Sequence, residues 1–176
     1  MSDEEIKERA AKIKLLLMDC DGVLTDGSIT LLPNGDEQKI FHVRDGQGIV
    51  LLHRAGLRSG IVSGRNSSLV ERRAKELGVE FVRQGVWDKL EEFEAILVEA
   101  NVSAEETAFI GDDVNDIPLL LHVGLAIAVA DAVSEAKQAA HLKTVNPGGR
   151  GAVRETTDLI LKTQGKWADL MQTYLV

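Results

Sequence analysis

The chain has 176 residues, 44% of them hydrophobic, which suits one compact α/β domain with a real core and leaves little room for a second. A formal net charge of −8 argues against nucleic acid or an anionic membrane as partner, since both would repel it. The single cysteine, Cys20, excludes an internal disulfide and a cysteine-built metal cluster.

The start, Met1-Ser2-Asp3-Glu4-Glu5, is acidic where a signal peptide would be basic and then apolar. The run Leu15–Met18 is too short to cross a bilayer, so a soluble cytoplasmic protein is expected. A short polar helix is predicted over 3–12. The uninterrupted apolar run 15–18 then has the pattern of a strand buried on both faces. Residues 28–42 carry the turn signal Pro33-Asn34-Gly35-Asp36 between two short strands and predict a β-hairpin flap. Beyond it, helices are predicted over 46–55, 66–77, 88–100, 114–122, 132–139 and 151–163. Strands are predicted over 59–63, 80–83, 107–110 and 125–129. This alternation implies a Rossmann-like parallel sheet with helices on both faces, which binds ligands at the carboxyl ends of its strands. With no repeat or linker, residues 1–176 read as one domain with a flap and no large cap.

The polar clusters fall at those strand ends. Asp19 and Asp21 close the first strand two residues apart, so on an extended chain they project to one side. They repel unless a cation or a shared proton intervenes. Gly22 permits a tight departure of the backbone. A plain turn accounts for Asp21-Gly22 but not for Asp19. Gly111-Asp112-Asp113-Val114-Asn115-Asp116 follows another strand, with Asp113 and Asp116 spaced to share a helical face. One acid there would be an N-cap; three exceed what a cap requires. If the two strands are neighbours, five carboxylates converge, an all-oxygen set that suits a hard cation such as Mg²⁺. Ser63-Gly64-Arg65, read as the start of a helix, offers a hydroxyl, free N–H groups and an arginine to an anion, although an N-cap serine is the plainer reading. Lys89 opens the next long helix, where a lone lysine is ordinarily a solvated charge.

Taken in order, Asp19-Cys20-Asp21-Gly22-Val23-Leu24-Thr25, Ser63, Lys89 and Gly111-Asp112-Asp113-Val114-Asn115-Asp116 resemble the four motifs of haloacid dehalogenase superfamily phosphatases. The flap, Phe41-His42-Val43-Arg44-Asp45-Gly46, Ser63-Gly64-Arg65 and Gly148-Gly149-Arg150-Gly151-Ala152-Val153-Arg154-Glu155 resemble more narrowly a group lacking a large cap. That group acts on a phosphorylated eight-carbon keto-sugar acid in lipopolysaccharide precursor synthesis and forms homotetramers. The resemblance implies Asp19 as nucleophile, Asp21 as general acid/base, and Ser63 and Lys89 on the phosphoryl oxygens. It also implies Mg²⁺ held by Asp19, the Asp21 carbonyl and Asp112, with Asp113 and Asp116 orienting a metal-bound water and Lys89.

Arg65 and Arg44 are candidates for the substrate carboxylate, since a guanidinium offers it a bidentate fork; an ion pair with Asp45 is the equal alternative for Arg44. Cys20, Trp87 and Trp167 read as packing residues, His42 as a flap-strand residue, and 148–151 as a loop before the last long helix. Two other readings stay open: a nine-carbon keto-sugar acid phosphate as substrate, and a phosphoacceptor receiver-like module. Against the module, the third strand ends in Val82-Arg83-Gln84-Gly85, without an acid.

Overall fold

In the computed structural model, which describes residues 1–175, the chain runs α1 (Asp3–Ala10), β1 (Leu15–Met18), β2 (Thr30–Leu31), β3 (Glu37–Gln38), α2 (Val43–Arg54), β4 (Arg58–Val62), α3 (Ser68–Leu77) and β5 (Phe81–Arg83). It continues through α4 (Lys89–Ala100), β6 (Thr107–Gly111), α5 (Ile117–His122), β7 (Leu125–Ala128), α6 (Ser134–Ala139), β8 (Leu142–Lys143), α7 (Ala152–Thr163) and α8 (Trp167–Gln172). The main sheet has six strands in the order β5-β4-β1-β6-β7-β8, and every pairing is parallel.

β1 pairs with β4 on one side and β6 on the other, and all four of its residues are buried. Neither face is left to water, which is why its sequence is apolar without alternation. The chain winds from β1 out to β4 and β5, then crosses back to β6 on the far side of β1. Right-handed crossovers therefore put α2 and α3 on one face and α4, α5 and α6 on the other. α7 packs against α1, α2 and α8 on the first face, while α5 packs against α4 and α6 on the second. The change of winding direction at β1 opens a crevice at the carboxyl ends of β1, β4 and β6, where such sheets bind ligands. No helix among the described residues is long and apolar enough to cross a membrane.

The α/β architecture is as expected from the sequence, with differences at the margins. β8 and α8 were not foreseen: two residues carry too little pattern to announce an edge strand. α2 begins at Val43 rather than 46 and, as expected, includes Gly46 and Gly48, residues of low intrinsic helix propensity. Packing overrides that propensity, because a Cβ at Gly48 would collide with Thr157 and Arg154 of α7. Ser63-Gly64-Arg65 belongs to a loop, since α3 starts only at Ser68. The flap is a hairpin of two-residue strands, Thr30 opposite Gln38 and Leu31 opposite Glu37. Its turn is closed by Leu32 N–H to Asp36 O (2.8 Å) and Gly35 N–H to Leu32 O (2.9 Å).

Candidate active site

The ladder of β1 extends one residue further, with Asp19 N–H donating to Ile110 O of β6 at 3.0 Å. This sets Asp19 beside the segment that follows β6. The chain then turns sharply, and the N–H groups of Val23, Leu24 and Thr25 all donate to the Cys20 carbonyl (3.3, 2.9 and 3.0 Å). Gly22 sits at φ +94°, and a Cβ there would strike the Asp112 carboxylate, so glycine meets both a conformational and a steric need. Gly148 and Gly149 brace this loop from behind: Gly149 N–H donates to Val23 O (2.8 Å), and a Cβ on Gly148 would run into the Gly22 carbonyl. The glycine-rich segment is therefore a support for the β1 loop as well as the approach to α7.

Three carboxylates converge, not five: Asp19, Asp112 and Asp116 each place an oxygen within 4.8 Å of the others. Two carboxylates at that separation repel by roughly 3 kcal/mol at an effective dielectric constant of about 20. One cation of the chain answers them. Lys89 Nζ donates to Asp19 Oδ1 at 2.8 Å and to Asp116 Oδ1 at 2.6 Å, with 3% of the residue exposed. Burial works against this ammonium, yet Asp19 and Asp116 outweigh it and hold its pKa above the usual lysine value. The fully buried Asp116 is otherwise saturated, its Oδ2 accepting from Asp112 N–H (2.8 Å) and Asp113 N–H (3.3 Å).

Asp112 has no such relief. Its Oδ1 is buried without a hydrogen-bond partner. Burial, then the charges of Asp19, Asp116 and Asp113, push its carboxyl up to about 8. Burial and the Asp116 charge likewise raise Asp19 to about 6, against the pull of Lys89. No backbone N–H among the described residues donates to the Asp21 carbonyl. An unpartnered buried oxygen, excess negative charge and oxygen-only donors together fit a hard divalent cation such as Mg²⁺.

The Asp21 side chain stands apart from that group. Its Oδ1 is held by the ammonium of Lys39, which reaches in from the flap, and its Oδ2 lies 3.6 Å from Arg65 Nε. Arg65 also donates to Glu37 Oε2 of the flap at 3.0 Å. Ser63 is buried at the end of β4, its Oγ accepting from Arg65 N–H at 3.3 Å. Lys39 and Glu37 were missed by sequence reasoning. The available signal was the period of two, which puts residues 37 and 39 on one face of the second flap strand and exposes Gln38 and Ile40 on the other.

Other expected residues lie elsewhere. Asp113 is exposed and caps the turn after β6 through Val114 N–H (2.7 Å), instead of sharing a helical face with Asp116. Arg44, exposed in the first turn of α2, lines a surface cleft with Arg150, Arg154 and Lys162 and is not brought to the carboxylates. It forms no ion pair with Asp45, whose buried carboxylate accepts Gly151 N–H (3.0 Å) and Arg154 N–H (2.8 Å) at the start of α7. Trp87 is fully exposed rather than packed, whereas Trp167 packs against the core and Cys20 is buried. His42 occupies the N-cap position of α2, not a strand.

The chain matches the haloacid dehalogenase-like hydrolase family over residues 78–151. It is 44% identical, over 93% of its length and 87% of the relative's, to 3-deoxy-D-manno-octulosonate 8-phosphate phosphatase KdsC of Yersinia pestis. Among solved structures it resembles that phosphatase from Moraxella catarrhalis in complex with magnesium, phosphate and KDO (TM-score 0.96, 37% identity, 98% and 99% of the two chains). It also resembles the cobalt-bound form from Haemophilus influenzae (TM-score 0.90, 40% identity, 96% and 99%).

Proposed function

Because the chain belongs to the 3-deoxy-D-manno-octulosonate 8-phosphate phosphatase family of haloacid dehalogenase-like hydrolases, we propose that it hydrolyses that sugar phosphate to the free acid and phosphate in lipopolysaccharide precursor synthesis. The observation that carries the reading is the buried Asp19 carboxylate, held by Lys89 beside the unpartnered oxygen of Asp112.

Asp19 attacks phosphorus in line and forms an aspartyl-phosphate, dividing hydrolysis into two easier displacements. Asp21 gives a proton to the departing sugar oxygen, then takes one from the water that breaks the intermediate. Lys89 and Ser63 bind the transferring phosphoryl oxygens. Asp116, with both oxygens engaged, keeps Lys89 aimed at Asp19. Asp19 and Asp112 through their carboxylates and Asp21 through its carbonyl are the residues that would hold Mg²⁺. When bound, the cation offsets the negative charge of carboxylate and phosphate and polarises the phosphoryl oxygens. Asp113 acts at a distance, fixing the turn that presents Asp112 and Asp116. Arg65 is the candidate partner for the substrate carboxylate, since it stands beside Asp21, whereas Arg44 lines a separate surface cleft.

Residues 1–176 work as one domain in the cytoplasm, and the flap is used to assemble a homotetramer. Ile29, Leu31 and Ile40 support this, being 56%, 73% and 63% exposed on a hairpin too short to be stable alone. The test is phosphate release across a panel of phosphorylated sugars and sugar acids, with Mg²⁺ and with chelator. The eight-carbon keto-acid phosphate should be preferred, and Asp19→Asn should fall to background while remaining folded. Turnover undiminished in chelator, or a tenth or so of wild-type turnover in Asp19→Asn, would mean other groups do the chemistry.

A further inference from the structure

We propose that Lys39 is a positioning residue that holds the Asp21 carboxylate where it can exchange a proton with the leaving oxygen, so that the flap takes part in the chemistry. The inference rests on the phosphatase reading and adds to it a residue outside the four motifs.

Lysine is almost never buried without a partner. The Lys39 side chain is only 3% exposed, although its neighbours Gln38 and Ile40 on the flap are exposed. Its partner is Asp21 Oδ1. Lys89 already serves Asp19 and Asp116, and Lys39 makes no ion pair with either among the described residues. The two buried lysines therefore divide the labour: one faces the carboxylate that attacks, the other the carboxylate that moves the proton. Asp21 needs such a partner because it stands outside the converging three, so nothing in that group defines its rotamer. Its remaining contact, Arg65 at 3.6 Å, is 45% exposed and shared with Glu37. A carboxyl free to rotate spends much of its time out of hydrogen-bond reach of the oxygen it must protonate, and proton transfer depends on that reach. Lys39 belongs to the flap, so the flap's seating on the site and the placing of Asp21 are one event.

The test compares Lys39→Met and Lys39→Arg with wild type on two substrates. The leaving group of the sugar phosphate is the sugar alkoxide, which needs a proton; that of 4-nitrophenyl phosphate is a stable phenolate, which does not. In single-turnover phosphoryl transfer from the sugar phosphate, Lys39→Met should lose roughly ten- to a hundred-fold in rate, part of the 10²–10⁴ that a placed general acid supplies. KM should stay within about two-fold, the loss on the aryl phosphate should be at least about ten-fold smaller, and Lys39→Arg should recover much of the rate. In an Asp21→Asn background, where no proton is given, Lys39→Met should add less than about two-fold. This comparison holds even where the substitution loosens the flap, because loosening alone would lower both substrates and both backgrounds alike. Equal losses on the two substrates, a loss carried by KM alone, full additivity with Asp21→Asn, or no loss at all would overturn the proposal. Wild-type turnover of neither substrate would overturn the phosphatase reading and this inference with it.

Discussion

Asp112 ties stability to pH and to the cation, and Asp112→Asn exposes the link. In the folded chain without a cation its carboxyl is raised to about 8, whereas an unfolded chain keeps the ordinary carboxyl value. Between those values the folded state binds up to one proton more than the unfolded state, so stability falls as pH rises. From pH 6.5 to 7.5 the excess is nearly a whole proton, worth about 1 kcal/mol. In a chain of this size that lowers the melting midpoint by about 2–4 °C. His53 and His141, held below the usual histidine value by burial, act in the opposite sense as pH falls through the unfolded histidine value. They remain in Asp112→Asn, so the difference in slope between the two proteins isolates Asp112. In chelator the variant should melt above wild type at pH 7.5, the gap narrowing by about 2–4 °C at pH 6.5. Saturating Mg²⁺ should raise wild type and leave the variant nearly unmoved. Equal slopes in chelator, or a full response to Mg²⁺ in Asp112→Asn, would refute this account of the carboxylate.

Asp45→Ala should lower stability by about 1–3 kcal/mol, read by urea unfolding, because it strips two N–H groups at the start of α7 of their buried acceptor. Exchanging Leu31 and Ile40 together for glutamate should convert a tetramer at micromolar concentration to smaller species in sedimentation; an unchanged assembly would remove the flap from the interface. Arg65→Ala should lose roughly ten- to a hundred-fold in kcat/KM on the keto-sugar acid phosphate, mostly in KM, and almost nothing on an aryl phosphate. Equal losses on both would place Arg65 on the phosphoryl group.

What could be read in advance was whatever the chain writes locally. β1 was legible because an unbroken apolar run followed by Asp19-x-Asp21 is a strand and its edge within seven residues. Asp112 and Asp116 were legible as a cluster from their spacing, and their separate roles only through the family resemblance. Only tertiary placement shows Asp116 saturated by Lys89 and two N–H groups while Asp112 keeps a free oxygen. Lys39 escaped because its meaning lies in docking: the same residue on an undocked flap would be one more solvated lysine. Arg44 misled because adjacency to Asp45 looks like a pair, whereas Asp45 is committed to α7, more than a hundred residues away. Trp87 misled through composition, since a large aromatic is usually inside.

The brace that Gly148 and Gly149 place behind the Asp19 loop bears on how the protein is made. Asp19 and its support stand 149 − 19 = 130 residues apart. At about 5–20 residues per second, the ribosome takes roughly 6–26 s to travel between them. Throughout that interval the loop after β1 exists without the segment that fixes it, and for most of it also without β6. A nascent chain therefore carries Asp19 early and the support of its loop late. Chains that stop short of residue 148 carry every strand through β8 but lack both this brace and α7, and should be inert.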